Sequence, residues 1–271
     1  MDTPVLLIKT ILLRPYVFLF LAAFLFSASR LLGWKRTGAF FILTWITAFV
    51  CEFSSTRTGI PFGWYHYTGS TVGQELYLSN VPFMDSLSFT FLLYASYCLS
   101  LIFLLPARQR GDKTSSPWDI RLLFDPGIRT SWPVLTLTAL FFAFIDIVID
   151  PVALRGDRWF LGQIYYYPEP GTHFGVPVAN YAGWAVVGLI ALALYFPMDR
   201  RLPPLPARLD ESVTGRVLLG CGLYYGVLLF NLAMTFWIGE PLLGMTGMLI
   251  YLPITGLLLL RLAGRLPAPA L

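Results

Sequence analysis

The sequence predicts an all-α fold: a polytopic transmembrane helix bundle of about seven helices, with its N-terminus outside the membrane. Three observations predict it. Of the 271 residues, 56% are hydrophobic and only 13% are charged, with a mean hydropathy of +0.68, a composition typical of integral membrane proteins. The apolar residues form seven runs long enough to cross a bilayer. Most Lys and Arg residues lie in the short segments between those runs.

The seven runs are predicted to be membrane-spanning helices because of their length and their low content of charge. Gly and Pro interrupt several of them, which bundled membrane helices tolerate. In chain order they cover residues 15–32, 38–55, 83–105, 132–150, 178–197, 215–237 and 240–260. No linker or low-complexity segment divides the chain, so residues 1–271 are predicted to form a single integral membrane domain.

The positive charges predict the orientation. The N-terminal segment and the segments after the second, fourth and sixth runs carry five of the nineteen Lys and Arg residues, and the rest of the chain carries fourteen. The positive-inside rule then places the N-terminus outside and the C-terminus in the cytoplasm, as an odd number of spans requires. The expected location is a bacterial or archaeal cytoplasmic membrane, with membrane lipid as the surroundings.

Composition also excludes some classes of partner. The net charge of +4 is spread over short segments, so no nucleic acid is expected as a partner. Cys51, Cys98 and Cys221 all fall within apolar runs, without a CxxC motif or a Cys/His cluster. Neither a disulfide nor a metal site is therefore predicted.

Polar residues lie near one end of the predicted helices, in contrast to the apolar character of the rest. In the predicted topology all of these ends are on the non-cytoplasmic side, and the cytoplasmic halves have no comparable set. Charged groups at membrane depth are costly and usually face the bundle interior, so their convergence predicts a site. The residues are Glu52, Asp85, Asp146, Asp150, Asn180, Asn231 and Glu240.

The carboxyl groups differ in their position on the helices. Asp85 and Glu240 begin helices, where the helix dipole favours a negative charge, and a simple interfacial role is an adequate explanation for them. Glu52, Asp146 and Asp150 lie at C-terminal ends, where the dipole opposes them. Asp146 and Asp150 are also one turn apart, so their charges repel. One of these acids is therefore expected to stay protonated at neutral pH and to be able to donate a proton.

Aromatic loops follow two of the acidic helix ends. Their side chains are typical of an interfacial belt, but they could also line a site for a long apolar ligand or stabilise a cation over their π faces. We expect an elongated cavity enclosed by the second to fifth helices and reaching between loops 59–69 and 163–177. The predicted ligand-binding residues are Phe62, Trp64, Tyr65, His66, Tyr67, Tyr166, His173 and Asn180.

The two acidic ends also resemble each other. Glu52 is followed by PFGWYHYTG and then VPF, whereas Asp146 and Asp150 are followed by GQIYYYPEPGTHFG and then VPVAN. Both units run from an acid through an aromatic loop and Val-Pro into a helix. This pattern suggests a duplicated helix pair, as membrane folds often contain, but chance similarity in so aromatic a chain is the simpler explanation on sequence alone.

The segments CEFSSTRTGIPFGWYHYTG, VPFMD, DIVIDPVALRGDRWF and YYYPEPGTHFGVPVANYAGW, within residues 51–184, resemble the signature blocks of the membrane-embedded carotenoid biosynthesis family. That family contains γ-carotene 1′,2′-hydratases and bisanhydrobacterioruberin hydratases. The first, sixth and seventh helices carry little of this signature and add only topology.

The resemblance implies a cofactor-independent carotenoid hydratase acting on a carotenoid in the bilayer. A carboxyl group would protonate C2 of an acyclic end group, and water would add to the tertiary cation at C1. Asp146, the deeper of the helix pair, is the first choice as proton donor, while Asp150 and Glu52 would stabilise the cation or orient water. Asp85 is the fourth predicted catalytic residue. The competing structural interpretation is that Asp146 only makes a polar contact to Asn180 or to a loop backbone.

Two other functions remain open on the sequence. A carotene cyclase or isomerase would share the protonation step and differ only in the access of water. A transporter could use the acids as a proton relay, but it predicts polar residues at several depths. Association with other carotenoid enzymes is a further expectation.

Overall fold

The computed structural model describes residues 3–109, 120–205 and 212–266. Within these ranges the chain forms eight α-helices, two short 3-10 helices (Ile128–Thr130 and Gly156–Arg158) and three small two-stranded sheets. The helices are α1 Thr3–Leu13, α2 Pro15–Leu32, α3 Trp34–Thr58, α4 Phe83–Leu104, α5 Trp132–Ala153, α6 Val178–Arg201, α7 Thr214–Trp237 and α8 Pro241–Leu262. The strands are β1 His66–Tyr67, β2 Tyr77–Leu78, β3 Val81–Pro82, β4 Ala107–Gln109, β5 Ile120–Leu122 and β6 Tyr165–Tyr166.

Seven of these helices, α2 to α8, are long and apolar enough to cross a membrane. They correspond to the seven predicted spans, so the all-α polytopic bundle is confirmed and the chain is an integral membrane protein. Helix α1 was not predicted, and its 11 residues are too few to span. The orientation stays a prediction, and part of the charge on which it rests, in residues 110–119 and 206–211, lies outside the described residues.

Helix α4 is the centre of the bundle. In the most apolar 18-residue stretch of α4, 83% of the residues are buried, against 28% in the corresponding stretch of α8. Helix α4 packs against α2, α3, α5 and α7. A helix surrounded in this way is apolar on all sides. Four of its small hydroxyl residues, Ser88, Thr90, Ser96 and Ser100, donate hydrogen bonds to carbonyl groups of the helix itself.

Helices α3 to α6 form a ring in which α3 and α5 each pack against both α4 and α6. Strand β1 follows α3 and pairs antiparallel with β6, which follows α5, so that His66 lies opposite Tyr166. Asp85 of α4 and Asn180 of α6 occupy the same place, three residues after a Val-Pro pair. The two helix pairs therefore have matching contacts and matching polar positions, which favours duplication over chance similarity.

The two ends of the bundle differ in charge. The end that contains Glu52, Asp85 and Asp150 is called the acidic end, and the opposite end, which contains Arg36 and Arg129, is called the basic end. The expectation that the opposite halves hold no comparable polar set is wrong. Asp199 is fully buried there and forms ion pairs with Arg36 and Arg129, so the sequence reasoning overlooked an acid whose charge is compensated by partners distant in sequence.

A buried ion pair also holds the start of α2 at the acidic end. Arg14 and Glu75 are both inaccessible to solvent, and their closest atoms are 2.9 Å apart. Arg14 further donates to the carbonyl of Leu161, and Thr71 donates to Glu75 at 2.5 Å. Arg14 is thus a structural link between α2 and two loops, although the sequence suggested only a topology-setting charge.

Candidate active site

Two carboxyl groups from adjacent helices share one tyrosine at the acidic end. Glu52 lies one to two turns before the end of α3, and Asp85 lies in the first turn of α4. The hydroxyl of Tyr67 is 2.7 Å from Oδ2 of Asp85 and 3.1 Å from Oε1 of Glu52. Ser86 donates to the other oxygen of Glu52. The four side chains form a continuous hydrogen-bonded group within the bundle.

A second hydrogen-bonded group is formed by α5, α6 and the loop between them. Asp150 accepts hydrogen bonds from the hydroxyls of Tyr165 at 2.6 Å and Tyr167 at 2.7 Å. The amide nitrogen of Asn180 is 2.8 Å from Asp150 and 2.6 Å from Asp146. Three donors on one carboxyl group stabilise its ionised form. Asn180 uses both of its N–H groups to hold the two aspartates in place.

Strand alternation decides which aromatic side chains enter the site. Successive side chains of a strand point to opposite faces, so Tyr65 and Tyr67 face inward while Trp64 is exposed. In the other loop Tyr165 and Tyr167 are buried and Tyr166 is 44% exposed.

The predicted binding role of Tyr166 is therefore not supported by its position, because the two tyrosines on either side of it reach Asp150 instead. His66 pairs with Tyr166 on the outward face. Alternation along a short extended run groups Tyr165 with Tyr167, but the sequence does not show which face of the strand is directed inward.

A polar cavity with an empty volume of about 330 Å³ lies between the two hydrogen-bonded groups. Gly183 allows the close approach of the loop, because a Cβ atom there would overlap Phe62. The lining residues are Glu52, Phe62, Tyr65, Tyr67, Asp85, Phe89, Asp150, Tyr165, Tyr167, Asn180 and Trp184. Nine of the eleven carry a side-chain nitrogen or oxygen atom that can hydrogen-bond to water.

An apolar cavity adjoins the polar one. Its empty volume is about 690 Å³, and it shares Asp85, Asp150, Tyr165 and Trp184 with the polar cavity. Most of its wall comes from α2, α4, α5 and α7, with aromatic side chains such as Phe20.

The predicted location of the apolar cavity between the second and fifth spans is therefore corrected: α2 and α7, the first and sixth spans, contribute side chains to it. Leu, Val and Phe residues of an apolar run carry no sequence signal that separates a cavity wall from ordinary packing. The position of the apolar cavity therefore could not be predicted from the sequence, because it depends on how the helices pack.

The predicted site residues fall into three classes by position. Glu52, Asp85, Asp150, Phe62, Tyr65, Tyr67 and Asn180 line the polar cavity. Asp146 is fully buried behind it and reaches it only through Asn180, and its Oδ1 atom has no hydrogen-bond partner among the described residues. Trp64, His66, Tyr166 and His173 are not among the residues that line either cavity.

His173 lies outside the site because its loop folds back on itself. Gly171 and Gly175 bridge to each other, and a Cβ atom on Gly171 would overlap the backbone of Val176. The ring of His173 is directed to the carbonyl of Ile147, with Nε2 3.2 Å from the oxygen. Its contacts are those of a residue that holds the loop against α5.

Two other polar residues from the predicted set near the helix ends, Glu240 and Asn231, do not line the polar cavity. Glu240 forms ion pairs with Arg155 and Arg158 at the partly exposed rim. Burial opposes ionisation, but hydrogen bonds from both arginines lower the pKa of Glu240 below its ordinary value. Asn231 lines the apolar cavity and donates to the carbonyl of Val227 at 2.9 Å.

The loop tyrosines are neutral hydrogen-bond donors. Burial raises the pKa of Tyr67 well above its ordinary value, and the charges of Asp85 and Glu52 raise it further. Burial and the charge of Asp150 do the same to the pKa of Tyr165 and of Tyr167. Tyr67 therefore has one proton to share between two carboxyl groups. If Tyr67 donates its proton to Asp85, Glu52 can complete the contact by donating a proton of its own to the Tyr67 oxygen. The group formed by Glu52, Tyr67 and Asp85 is therefore suited to holding one extra proton.

The sequence matches the family model described as carotenoid biosynthesis protein over residues 11–253. The chain belongs to this carotenoid biosynthesis protein family. It is 31% identical over 219 residues to a bisanhydrobacterioruberin hydratase of Haloarcula japonica, a match that covers 79% of this chain and 62% of the relative. The chain therefore matches less than two thirds of that protein's length. No solved structure matches it.

In this member of the carotenoid biosynthesis protein family the matched region includes both hydrogen-bonded groups and both cavities. Sequence reasoning missed Tyr165, Tyr167 and Trp184, and it missed the wall of α2 and α7. Within the described ranges no three His, Cys, Asp or Glu side chains are grouped as a metal site.

Proposed function

We propose that the protein is a carotenoid hydratase, which adds water to the terminal C1=C2 double bond of an acyclic carotenoid end group. One observation carries the proposal: Asp85 and Asp150 lie where a polar cavity meets an apolar one. An apolar chain held in the larger cavity would present its end to two carboxyl groups and to space for water. Membership of the family and the hydratase activity named for the Haloarcula japonica relative support this choice.

The first step is proton transfer to C2, assigned to the group formed by Glu52, Tyr67 and Asp85. Asp85 borders both cavities, so its proton reaches the alkene directly. The π electrons of the double bond form the new C–H bond, and C1 becomes a tertiary cation. Tyr67 joins Asp85 to Glu52, and a proton held by Glu52 can restore Asp85 through it.

The second step is capture of the cation by water. Asp150, which is stabilised as a carboxylate by Tyr165, Tyr167 and Asn180, lies opposite the donor group and offsets the positive charge. Trp184 borders both cavities, so its ring would lie beside the reacting end and could stabilise the cation. Water in the polar cavity forms the C1–O bond and gives its excess proton to Asp150. That proton returns to the donor group through cavity water, which leaves no net change in the enzyme.

The proposed donor therefore changes from Asp146 to Asp85. Asp146 has no contact with either cavity, and its polar contact is with Asn180. We assign it a positioning role, because it fixes the amide that in turn orients Asp150.

Expression in a lycopene-producing host, with pigment analysis by mass spectrometry, tests the activity. Gain of one water per end group supports hydration. A cyclase or isomerase would leave the mass unchanged. Production of only isomers of the starting pigment, by protein that has accumulated in the membrane, would overturn the proposal for this substrate class.

A further inference from the structure

The apolar cavity is shorter than the substrate proposed for it. On α4 its wall runs from Met84 to Leu92, eight residues apart and therefore about 12 Å along the helix axis. An extended acyclic carotenoid is comparable in length to the hydrocarbon core of a bilayer, which is about 30 Å thick. The cavity can therefore hold the end group and the first part of the chain, and the rest of the chain must leave the cavity.

Tyr16 on α2 and Phe230 on α7 lie between the apolar cavity and the outer surface of the bundle. Both line the cavity, and both contact the ring of Phe160, with centroids 5.4 Å and 6.4 Å away. Phe160 is not among the residues that line the cavity, and it is 51% exposed. Leu19 and Leu229, beside them on the two helices, are 70% and 62% exposed, as expected for side chains that face lipid. Aromatic side chains therefore form the boundary between the cavity and the bilayer at this gap.

The rings at the gap are suited to moving aside for an apolar chain. Tyr16 stacks on Phe230 with centroids 5.4 Å apart, and Phe20 meets Phe230 edge-on at 5.7 Å. Such ring contacts are individually weak, and contacts with another π system can replace them. A Cβ atom on Gly226, one turn before Phe230, would meet no atom within 4 Å. Because helical side chains lean toward the preceding turn, Phe230 has unoccupied space into which its ring can turn.

The backbone beside the gap is held in place. Arg14, two residues before Tyr16, forms the buried ion pair with Glu75 and donates to the carbonyl of Leu161. Movement of the start of α2 away from α7 would break these contacts, whereas rotation of the rings leaves them intact. Opening of the gap is therefore expected to involve side chains and not separation of the helices.

We propose that the gap between α2 and α7 is a binding site for the polyene chain of the substrate. The end group lies in the apolar cavity, and the chain passes between Tyr16 and Phe230 into the bilayer. The identity of the ligand rests on the proposed function. The site lets a carotenoid enter from the lipid and react at one end while most of its length stays in the membrane, and it adds Tyr16 and Phe230 to the residues that select a long apolar substrate.

Photochemical cross-linking in membranes of a lycopene-producing host tests the proposal. The full-length protein carries the photoreactive residue p-benzoylphenylalanine at a single position, either Phe230 or its control Leu229 on α7, or Tyr16 or its control Leu19 on α2. After illumination and extraction with organic solvent, the mass of the intact protein identifies the attached molecule. Lycopene or its hydrated product should be attached at Phe230 and at Tyr16 several-fold more than at Leu229 and Leu19, which face bulk lipid.

Equal attachment of pigment at the gap positions and at their controls, or attachment of phospholipid alone at both Phe230 and Tyr16, would overturn the proposal. Attachment does not require turnover, so the result is separate from that of the hydration assay. Pigment attached at the gap positions, together with a lack of hydration by the unsubstituted protein, would support the binding site and contradict only the hydratase activity. If the variants on one helix do not accumulate in the membrane, the pair on the other helix decides the question.

Discussion

The hydroxyl oxygen of Tyr67 lies 2.7 Å from Oδ2 of Asp85. This contact joins a loop tyrosine to a carboxyl group in the first turn of a membrane helix, and the same hydroxyl continues to Glu52 at 3.1 Å. A single tyrosine thus connects a buried acid to an acid that borders both cavities. The proposed proton transfer depends on this connection.

Replacement of Tyr67 by Phe should lower hydration per unit of membrane-inserted protein by about 100-fold, because a proton relay in a general-acid step contributes about that much. Tyr166→Phe is the matched control, since Tyr166 is one strand position from the buried tyrosines and faces outward. It should retain near-normal activity. Equal losses in the two variants would show that the effect comes from the loop and not from the hydroxyl of Tyr67.

The three aspartates should differ in their response to replacement by Asn. Asp85→Asn and Asp150→Asn should each reduce hydration by about 100-fold or more, because both side chains border the two cavities. Asp146→Asn should retain a measurable fraction, since that residue acts only through Asn180. Pigment analysis normalised to inserted protein measures all three. Complete loss in Asp146→Asn with normal accumulation, alongside activity in Asp85→Asn, would reverse the assignment.

The apolar cavity should limit the chain that can bind. Val227 is buried and lines this cavity, so Val227→Phe should fill part of it and raise KM for a long acyclic carotenoid. A small change in the size of an apolar pocket is worth about 1–3 kcal/mol in substrate binding, which corresponds to about 10-fold to 200-fold. Leu229→Phe, two residues further along α7 and 62% exposed, is the control. If both variants keep the wild-type KM, the cavity is not the substrate channel.

The Arg14–Glu75 ion pair should contribute to folding and not to chemistry. Glu75→Gln leaves the buried guanidinium of Arg14 without its counter-charge, so a loss of about 3–5 kcal/mol in the free energy of unfolding is expected. Chemical unfolding in detergent measures it. The exposed Glu169 supplies a control, and Glu169→Gln should change stability by less than about 0.5 kcal/mol. A similarly small change for Glu75→Gln would mean that the pair is dispensable.

Much of the fold could be predicted from the sequence because length and hydropathy are local properties. The seven spans follow from runs of apolar residues, and the observed α4, Phe83–Leu104, differs by one residue from the predicted 83–105. The buried pairs of Asp199 could not be predicted in the same way. Arg36 is 163 residues away from Asp199 in sequence, and no local pattern connects them.

The candidate site was only partly predictable for a related reason. The acids were identifiable because charge is rare in apolar helices, and Glu52, Asp85 and Asp150 do lie around one cavity. The choice between Tyr165 and Tyr166 depended on the face of a two-residue strand, which is fixed by its pairing with β1. The apolar wall depended on helix packing, because Phe20 of α2 resembles any lipid-facing phenylalanine in sequence.

Isotopic labelling tests the central claim most directly. The purified enzyme, incubated with an acyclic carotenoid in buffer made from D₂¹⁸O, should yield a product with deuterium at C2 and ¹⁸O at C1 of each hydrated end group. Both labels should be absent from product made in ordinary water, and the yield should fall sharply with Asp85→Asn. Oxygen at C1 that does not come from the solvent, or conversion without any gain of oxygen, would contradict the account.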